Sequence, residues 1–225
     1  MRKLLAVFCI VVCWFTGRSE DPLSRKLLRS TVRIEAQMTN GNSTGTGFLF
    51  SFVDTNGFLP VVVTCWHVVA NSVGGHFLVS LTTTNYKGRI DFVFHAGDWI
   101  RHPDTNIDLA VLPFAAFVDQ VARNQLSPDI MPITDKLVAT KMEDFGVFQE
   151  IKFIGYPIGA WDEKHNLPIV RRGMTATDPG VDYNGMPKFL IDAAVYPGSS
   201  GSPIFVAEEG GCVWGETAVS IPEVI

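Results

Sequence analysis

Short apolar stretches that alternate with polar positions recur along the whole chain. Residues 31–37 (TVRIEAQ) and 77–81 (FLVSL) carry apolar side chains at every second position, as a half-buried β-strand does. Runs rich in Val, Ile, Phe and Thr predict further strands at 48–52, 59–64, 89–95, 108–112, 148–156, 168–172, 189–193, 202–206 and 212–214. The pattern therefore predicts an all-β protein with two successive groups of strands.

One stretch between these groups has a helical rhythm instead. Residues 113–126 (PFAAFVDQVARNQL) bring Phe114, Phe117, Val118 and Val121 to one side of a helix. We therefore predict a helix that begins the connection between the two groups of strands.

Turns are predicted where glycine, asparagine and other polar residues cluster. The candidates are 41–47 (GNSTGTG), 163–166 and 182–187 (DYNGMP), and the Asn184-Gly185 pair is typical of a tight β-hairpin. The glycines of 41–47 also suggest a phosphate-binding loop. The stretch lacks the Lys-Ser/Thr ending that such a loop uses, so the turn is the preferred interpretation.

The composition is that of a globular protein. Of the 225 residues, 47% are hydrophobic and 18% are charged, which excludes a disordered chain. The formal net charge is −5, and the sequence contains no basic patch and no heptad repeat. Nucleic-acid and coiled-coil partners are therefore not expected.

The first 19 residues have the form of a secretory signal peptide. Arg2 and Lys3 precede an apolar run, and Gly17 and Ser19 occupy the small-residue positions before a cleavage site. The run is shorter than the roughly 20 residues that a membrane span needs, and an uncut membrane anchor is the alternative. We expect a secreted or periplasmic chain. Cleavage would remove three basic residues and change the formal charge from −5 to −8.

A serine between two glycines forms the most distinctive motif. Residues 196–205 (YPGSSGSPIF) contain Ser200 two residues after Gly198 and directly before Gly201, ahead of an apolar strand. Glycine lets the backbone bend so that two N–H groups point into one space. A serine hydroxyl beside such a pair is typical of acyl-transfer sites. Alone, the stretch would equally suit a flexible linker.

Two further motifs supply the partners that such a serine needs. His67 follows an apolar strand (VVVTCWHVV), and an imidazole can act as a base and then as an acid near neutral pH. Asp108 lies within an apolar run (NIDLAVL), where burying a carboxylate is costly unless it is hydrogen-bonded. In the polar loop before it, His102 is a rival candidate for the base and Asp104 for the acid.

In the order His67, Asp108, Ser200 and at this spacing, the three motifs resemble the chymotrypsin/trypsin-like serine peptidases. The resemblance covers roughly residues 30–215. It implies two six-stranded antiparallel β-barrels after the signal predicted in 1–19, an N-terminal barrel in 20–120 and a C-terminal barrel in 121–225. The nucleophile motif is similar to that of glutamyl endopeptidases and residues 191–194 (IDAA) to that of HtrA-type proteases, which indicates a bacterial type.

The resemblance also implies roles for individual residues. Ser200 would be the nucleophile, His67 the general base and then acid, and Asp108 the carboxylate that orients the imidazole. The backbone N–H groups of Gly198 and Ser200 would form the oxyanion hole. No metal and no organic cofactor is implied.

The substrate site is expected on both sides of the nucleophile motif. By resemblance, Ala194 would lie at the base of the primary pocket, and residues Val213, Trp214 and Gly215 would pair with the substrate backbone. An alanine offers no carboxylate to an arginine or lysine side chain, so we expect a small or medium apolar side chain there. Ser199 stands where trypsin-like zymogens carry an activating Asp, so that activation is not expected.

The implied activity is that of a serine endopeptidase acting on polypeptides through an acyl-enzyme intermediate. Only 25 residues follow Ser200, about half of what the family usually has, so the second barrel is expected to be incomplete. The alternative is a truncated or non-catalytic domain that binds peptides or proteins. An esterase of another fold would need a parallel α/β pattern, which this sequence does not show.

Two cysteines remain beyond the predicted signal, Cys65 and Cys212, one in each expected barrel. We expect two unpaired thiols, with a single disulfide as the alternative. The dense disulfide pattern of animal digestive proteases is absent from the sequence.

Overall fold

Strands dominate the described part of the protein, and three short helices interrupt them there. The computed structural model describes residues 9–12, 23–54, 57–82 and 87–206. The helices are α1 (Leu23–Leu27), α2 (Trp66–Val69) and α3 (Ala115–Arg123), with 3-10 turns at Asp135–Leu137, Met142–Asp144 and Pro157–Gly159. The strands are β1 (Cys9–Val12), β2 (Thr31–Met38), β3 (Gly41–Asp54), β4 (Gly57–Thr64), β5 (Ser72–Thr82), β6 (Lys87–His95), β7 (Ile100–Arg101), β8 (Ala110–Pro113), β9 (Ser127–Pro128), β10 (Ile133–Thr134), β11 (Glu150–Gly155), β12 (Ile169–Thr175), β13 (Ile191–Ala193) and β14 (Pro203–Val206).

These strands form two mainly antiparallel sheets. The first has the order β6-β5-β2-β3-β4-β8-β7, with β9 beside β5 and β10 beside β3. The second has the order β1-β14-β11-β12-β13. Strand residues account for 47% of the structure, which confirms the all-β prediction and the two groups of strands.

Within the described residues, neither sheet is a closed barrel. Each strand order runs from one edge strand to another without returning to its start. Closure of the first sheet would require its two edge strands, β6 and β7, to pair with each other. Strand β7 has only two residues, which is too few to pair along the nine residues of β6. The strand predicted at 212–214 lies outside the described residues. Two open, mainly antiparallel sheets thus replace the two closed barrels that the resemblance implied.

The turn predicted at 41–47 is wrong, because these residues form the first half of β3. Met38 pairs with Gly41, so the hairpin turn consists of residues 39–40. A Cβ at Gly45 would lie 2.4 Å from a methyl carbon of Val68, and one at Gly47 would lie 2.8 Å from a methyl carbon of Val62. Glycine therefore serves close packing against β4 and α2 here, and not chain reversal.

Most of the other predicted elements are present, although several begin or end at different residues. The helix predicted at 113–126 is confirmed as α3, and the Asn184-Gly185 hairpin is confirmed by the bridge between Tyr183 and Met186. Asp108 lies just before β8 and not inside a strand. The short strands β7, β9 and β10 escaped the sequence analysis because two paired residues leave no alternating pattern. No helix in the described ranges is long and apolar enough to cross a membrane.

The predicted signal stretch includes the strand β1. It pairs in parallel with β14, from Cys9 beside Pro203 to Val12 beside Val206. This pairing adds β1 to one edge of the second sheet. The signal peptide itself stays a prediction.

Apolar side chains from both sheets meet in one buried cluster. Val63 of β4 packs in it together with Ile154 of β11 and Phe205 of β14. Burying an aliphatic or aromatic side chain of this size stabilises a fold by about 1.5–3 kcal/mol. Because β4 leads to His67 and β14 follows Ser200, burial of this cluster holds these two residues near each other.

Candidate active site

The loop before β14 presents one accessible serine hydroxyl. Gly198 and Gly201 have φ angles of 89° and 86°, which favour glycine, and they flank Ser200. Ser199 and Ser202, also in this loop, are fully buried, while Ser200 is partly exposed. The backbone of the loop therefore selects Ser200 among the three serines as the one that can react with an external molecule.

The short helix α2 turns His67 towards solvent. The apolar strand β4 ends at Thr64, and α2 then buries Val68 and Val69. Because neighbouring positions of a helix point in different directions, this burial leaves the His67 side chain 44% exposed. Burial of the two valines thus fixes the position of the imidazole just beyond the C-terminal end of β4.

Asp108 holds His67 through two separate contacts. Its Oδ1 accepts a hydrogen bond of 2.9 Å from the backbone N–H of His67. Its Oδ2 forms a short hydrogen bond with Nδ1 of the His67 ring. Its carbonyl oxygen also accepts a hydrogen bond of 3.2 Å from the N–H of Trp66. The carboxylate is only 16% exposed, so water competes little for these bonds.

The surroundings of Asp108 keep its carboxyl group ionised. Burial alone would raise its pKa, but the hydrogen bonds and charge of His67, together with the charge of Arg101, lower the pKa below its ordinary value. An ionised carboxylate can only accept hydrogen bonds, so the ring proton of a neutral His67 lies on Nδ1. Nε2 is then left with a lone pair that can accept a proton.

This lone pair faces the accessible serine. Nε2 of His67 lies 2.9 Å from Oγ of Ser200, which is hydrogen-bond distance.

The rival residues His102 and Asp104 lie in a separate local turn. His102 Nδ1 accepts a hydrogen bond from the N–H of Asp104, whose carboxylate accepts one from the N–H of Asn106. The structure thus brings together the three residues that the sequence motifs singled out and leaves the two rivals apart from Ser200.

Residues 45–215 match the sequence profile of the trypsin-like peptidase domain, and this match spans more than half of the chain. The chain belongs to the trypsin-like peptidase domain family. The family prediction made from the three motifs is thereby confirmed. No curated protein sequence matches the chain at a significant level.

Several solved structures are similar to this trypsin-like peptidase domain. The HtrA-type protease AlgW with a tripeptide has a TM-score of 0.46 and 15% identity, over 89% of this chain and 57% of that one. The active form of the Rv3671c protease from M. tuberculosis has a TM-score of 0.45 and 20% identity, over 93% and 88%. The serine endoprotease from Yersinia pestis has a TM-score of 0.47 and 13% identity, over 93% and 64%. The chain thus spans 57% of the length of AlgW.

In this trypsin-like peptidase domain, the backbone N–H groups of Gly198 and Ser200 have no acceptor among the described residues. Pro197 accepts a hydrogen bond of 2.5 Å from the N–H of Ile158, and because the peptide is trans, the N–H of Gly198 points the opposite way. Neither this N–H nor that of Ser200 donates a hydrogen bond to another described residue. Both are the donors that the sequence analysis assigned to the oxyanion hole.

Thr46 of β3 forms hydrogen bonds to the loop that contains Ser200, and the sequence analysis did not identify it. Its Oγ1 donates to the carbonyl of Gly198 at 2.9 Å and accepts from the N–H of Tyr156 at 3.1 Å. Its own N–H donates to the carbonyl of Ser200 at 2.8 Å. Thr46 is fully buried and binds the carbonyl groups of the two residues that flank Ser199. The sequence offered no signal, because Thr46 stands inside the glycine-rich stretch assigned to a turn.

We predict that Thr46→Val lowers the free energy of unfolding by about 1–3 kcal/mol, because it leaves the Gly198 carbonyl and the Tyr156 N–H unpaired in a buried site. Thr46→Ser, which keeps the hydroxyl, should cost about 1 kcal/mol for the lost methyl group. Urea denaturation followed by tryptophan fluorescence measures both. Thr31→Val is the matched control, since the hydroxyl of Thr31 is buried without a hydrogen-bond partner among the described residues and its loss should not destabilise the fold. Equal losses in Thr46→Val and Thr31→Val would contradict the role of the Thr46 hydroxyl.

Cys65 is a fully buried thiol next to the site, and it forms no disulfide with another described residue. Its Sγ, a ring nitrogen of His67 and a carboxylate oxygen of Asp108 lie within 4.8 Å of one another, and these residue types can bind metal ions. Burial, and next the charge of Asp108, raise the pKa of the Cys65 thiol well above its ordinary value, which disfavours the thiolate that a metal needs. His67 and Asp108 already bond each other. The cluster is therefore better suited to proton transfer than to metal binding.

The residues predicted to bind substrate are only partly described. Ala194 follows β13, is exposed, and its carbonyl accepts a hydrogen bond of 3.1 Å from Nη1 of Arg171. Val213, Trp214, Gly215 and the second remaining cysteine, Cys212, lie outside the described residues. Arg171 was missed by the sequence analysis, because nothing in a short strand with two adjacent arginines distinguishes the inward one from the outward one.

Proposed function

We propose that the chain is a serine endopeptidase that cleaves peptide bonds through an acyl-enzyme intermediate on Ser200. The observation that supports this most strongly is the continuous line of hydrogen bonds from the Asp108 carboxylate through the His67 ring to Oγ of Ser200. Two further properties support it. Ser200 is accessible, and the N–H groups of Gly198 and Ser200 have no acceptor among the described residues.

In the proposed acylation step, Oγ of Ser200 attacks the carbonyl carbon of the peptide bond. His67 Nε2 takes the hydroxyl proton as the C–O bond forms, and Asp108 stabilises the resulting imidazolium. The N–H groups of Gly198 and Ser200 bind the oxygen that becomes negatively charged. When the C–N bond breaks, His67 returns its proton to the leaving amine. The serine ester and a free amine are the products of this step.

In the proposed deacylation step, water repeats the same sequence in place of the serine. His67 takes one proton from the water molecule while the water oxygen attacks the ester carbonyl. Breaking of the ester bond passes that proton back to Oγ of Ser200. A carboxylic acid leaves, and the free enzyme is restored without any net change in its protons.

The remaining assignments rest on the sequence and are part of this proposal. We assign His67 and Asp108 to an N-terminal unit in residues 20–120 and Ser200 to a C-terminal unit in 121–225. Residues 1–19 would act as a signal peptide, and the mature enzyme would act on polypeptides outside the cytoplasm.

The proposal is tested by covalent labelling of the purified chain with a fluorophosphonate, which reacts only with an activated serine. We expect stoichiometric labelling that Ser200→Ala abolishes, with peptide hydrolysis falling by about 10⁶-fold. Intact-mass measurement and peptide mapping locate the label. Ser202→Ala is the control in the same loop, because the buried hydroxyl of Ser202 has no hydrogen-bond partner within the described ranges, and this variant should label as the wild type does. A folded wild-type chain that does not label would sink the proposal and favour the peptide-binding alternative.

A further inference from the structure

Arg171 lies on the inner face of the second sheet. It belongs to β12, where Arg171, Gly173 and Thr175 are the less exposed positions and Arg172 faces solvent. Its guanidinium lies over the Phe153 ring, with Cζ 4.3 Å from the ring centroid. Phe153 is fully buried. A cation is thus held against the core of the second sheet.

The guanidinium of Arg171 lacks acceptors for one of its edges. Nη1 donates to the carbonyl of Ala194 at 3.1 Å. Nε and Nη2 are buried, and neither has a hydrogen-bond partner in the described part of the chain. Burial lowers the pKa of Arg171 to about 10, so the group still carries its charge at neutral pH. A buried charge without a counterion is strongly unfavourable, which indicates that an anion completes this site.

The unpaired edge has the geometry of a carboxylate receptor. Nε and Nη2 donate side by side along one edge of the planar guanidinium, and they match the two oxygens of a single carboxylate. Because both nitrogens are shielded from solvent, their hydrogen bonds to a carboxylate would be strong. A lysine or a neutral side chain cannot satisfy both donors in this way.

Arg171 is also linked to the nucleophile loop by a short segment. Its acceptor Ala194 stands two residues before Tyr196. The N–H of Tyr196 donates to Oγ of Ser199 at 3.3 Å, and its carbonyl accepts from the N–H of Ser199 at 3.0 Å. The guanidinium edge itself is shielded from solvent, so an incoming side chain would reach it only as the exposed segment of Ala194 and Tyr196 shifts aside. A peptide whose carbonyl lies at Ser200 would direct its preceding side chain along this segment.

We propose that Arg171 determines specificity by binding an acidic side chain of the substrate, so that cleavage follows Glu or Asp. This inference rests on the function proposed above. It replaces the small or medium apolar side chain that Ala194 alone suggested, because the charge beside Ala194 comes from a different strand.

The test compares fluorogenic peptides that differ only in the residue before the scissile bond: Glu, Gln, Leu or Lys. The concentration of active sites is first determined by fluorophosphonate titration. We expect kcat/KM for the Glu peptide to exceed that for its near-isostere Gln by about 10²-fold, the scale of a lost buried charge pair. Arg171→Gln should remove most of this preference. Arg172→Gln, which changes the solvent-facing neighbour on the same strand, should retain it.

Each outcome decides the inference. A wild-type preference for Leu or Lys overturns it, as does a Glu-to-Gln ratio that is the same in Arg171→Gln as in the wild type. If Arg171→Gln folds less well, the ratio is still measured per titrated active site and stays decisive. Failure of the wild type to label is seen before any peptide is tested. That result overturns the proposed function and this inference together, whereas labelling without acidic preference overturns the inference alone.

Discussion

Replacement of Asp108 by asparagine is expected to slow peptide hydrolysis and fluorophosphonate labelling about 10⁴-fold while the fold stays intact. An amide can keep the bond that Oδ1 now accepts from the backbone N–H of His67, so the local structure should persist. Its NH₂ group, however, would face Nδ1 of the ring and force the ring proton onto Nε2. Nε2 would then be unable to accept the proton of Ser200. The pseudo-first-order labelling rate at pH 7 measures this loss.

The rival acid provides the matched control for this prediction. Asp104 lies in the same loop, and its carboxylate accepts a hydrogen bond from the N–H of Asn106, so Asp104→Asn makes the same chemical change a few residues away. We expect its labelling rate to stay within about twofold of the wild type, as is usual for a surface change. A slow Asp104→Asn variant beside a fast Asp108→Asn variant would transfer the orienting role to Asp104.

Replacement of Gly198 by alanine should cost about 10²–10³ in turnover and also destabilise the fold. A Cβ at this position would lie 2.4 Å from the carbonyl oxygen of Tyr156, far inside van der Waals contact. The backbone must shift to relieve this contact, and the shift would turn the Gly198 N–H away from the oxyanion. We therefore expect a lower kcat with a smaller change in KM, because the oxyanion forms only in the transition state.

The Gly97→Ala variant is the control that distinguishes the steric contact at Gly198 from the cost of a positive φ angle. Gly97 and Gly198 share a φ of 89°, but a Cβ at Gly97 would meet nothing within 4 Å. Gly97→Ala should therefore lose only the roughly 1–2 kcal/mol that a left-handed conformation costs a residue with a side chain. Its activity should be unchanged. If Gly198→Ala were as active and as stable as Gly97→Ala, the contact with Tyr156 would not be what requires glycine.

Local patterns were sufficient where one strand contacts solvent on one face and the core on the other. The alternation in residues 31–37 and 77–81 predicted β2 and β5, since burial of every second side chain is a property of a single strand. The same logic failed for residues 41–47. Their glycines pack against Val62 and Val68, and this requirement lies in another part of the chain.

The residues of the candidate site also divide into those that local motifs identified and those that only the structure revealed. His67, Asp108 and Ser200 were identified from motifs, because each stands in a sequence context that its chemistry requires, and their catalytic roles remain predictions. Thr46 and Arg171 were not found, because their contacts join residues that are 152 and 23 positions apart. No local pattern records such a contact.

By itself, the sequence determined the strand-rich class, most strand positions, the peptidase family and the three residues of the candidate site. These properties follow from side-chain periodicity and from short motifs, which are local. Only the tertiary structure decided that, among the described residues, the sheets stay open, Thr46 holds the nucleophile loop through hydrogen bonds, and two guanidinium nitrogens of Arg171 beside Ala194 have no hydrogen-bond partner. The physical reason is that strand closure, buried hydrogen bonds and charge pairing depend on which distant segments meet, and this is settled by packing of the whole core.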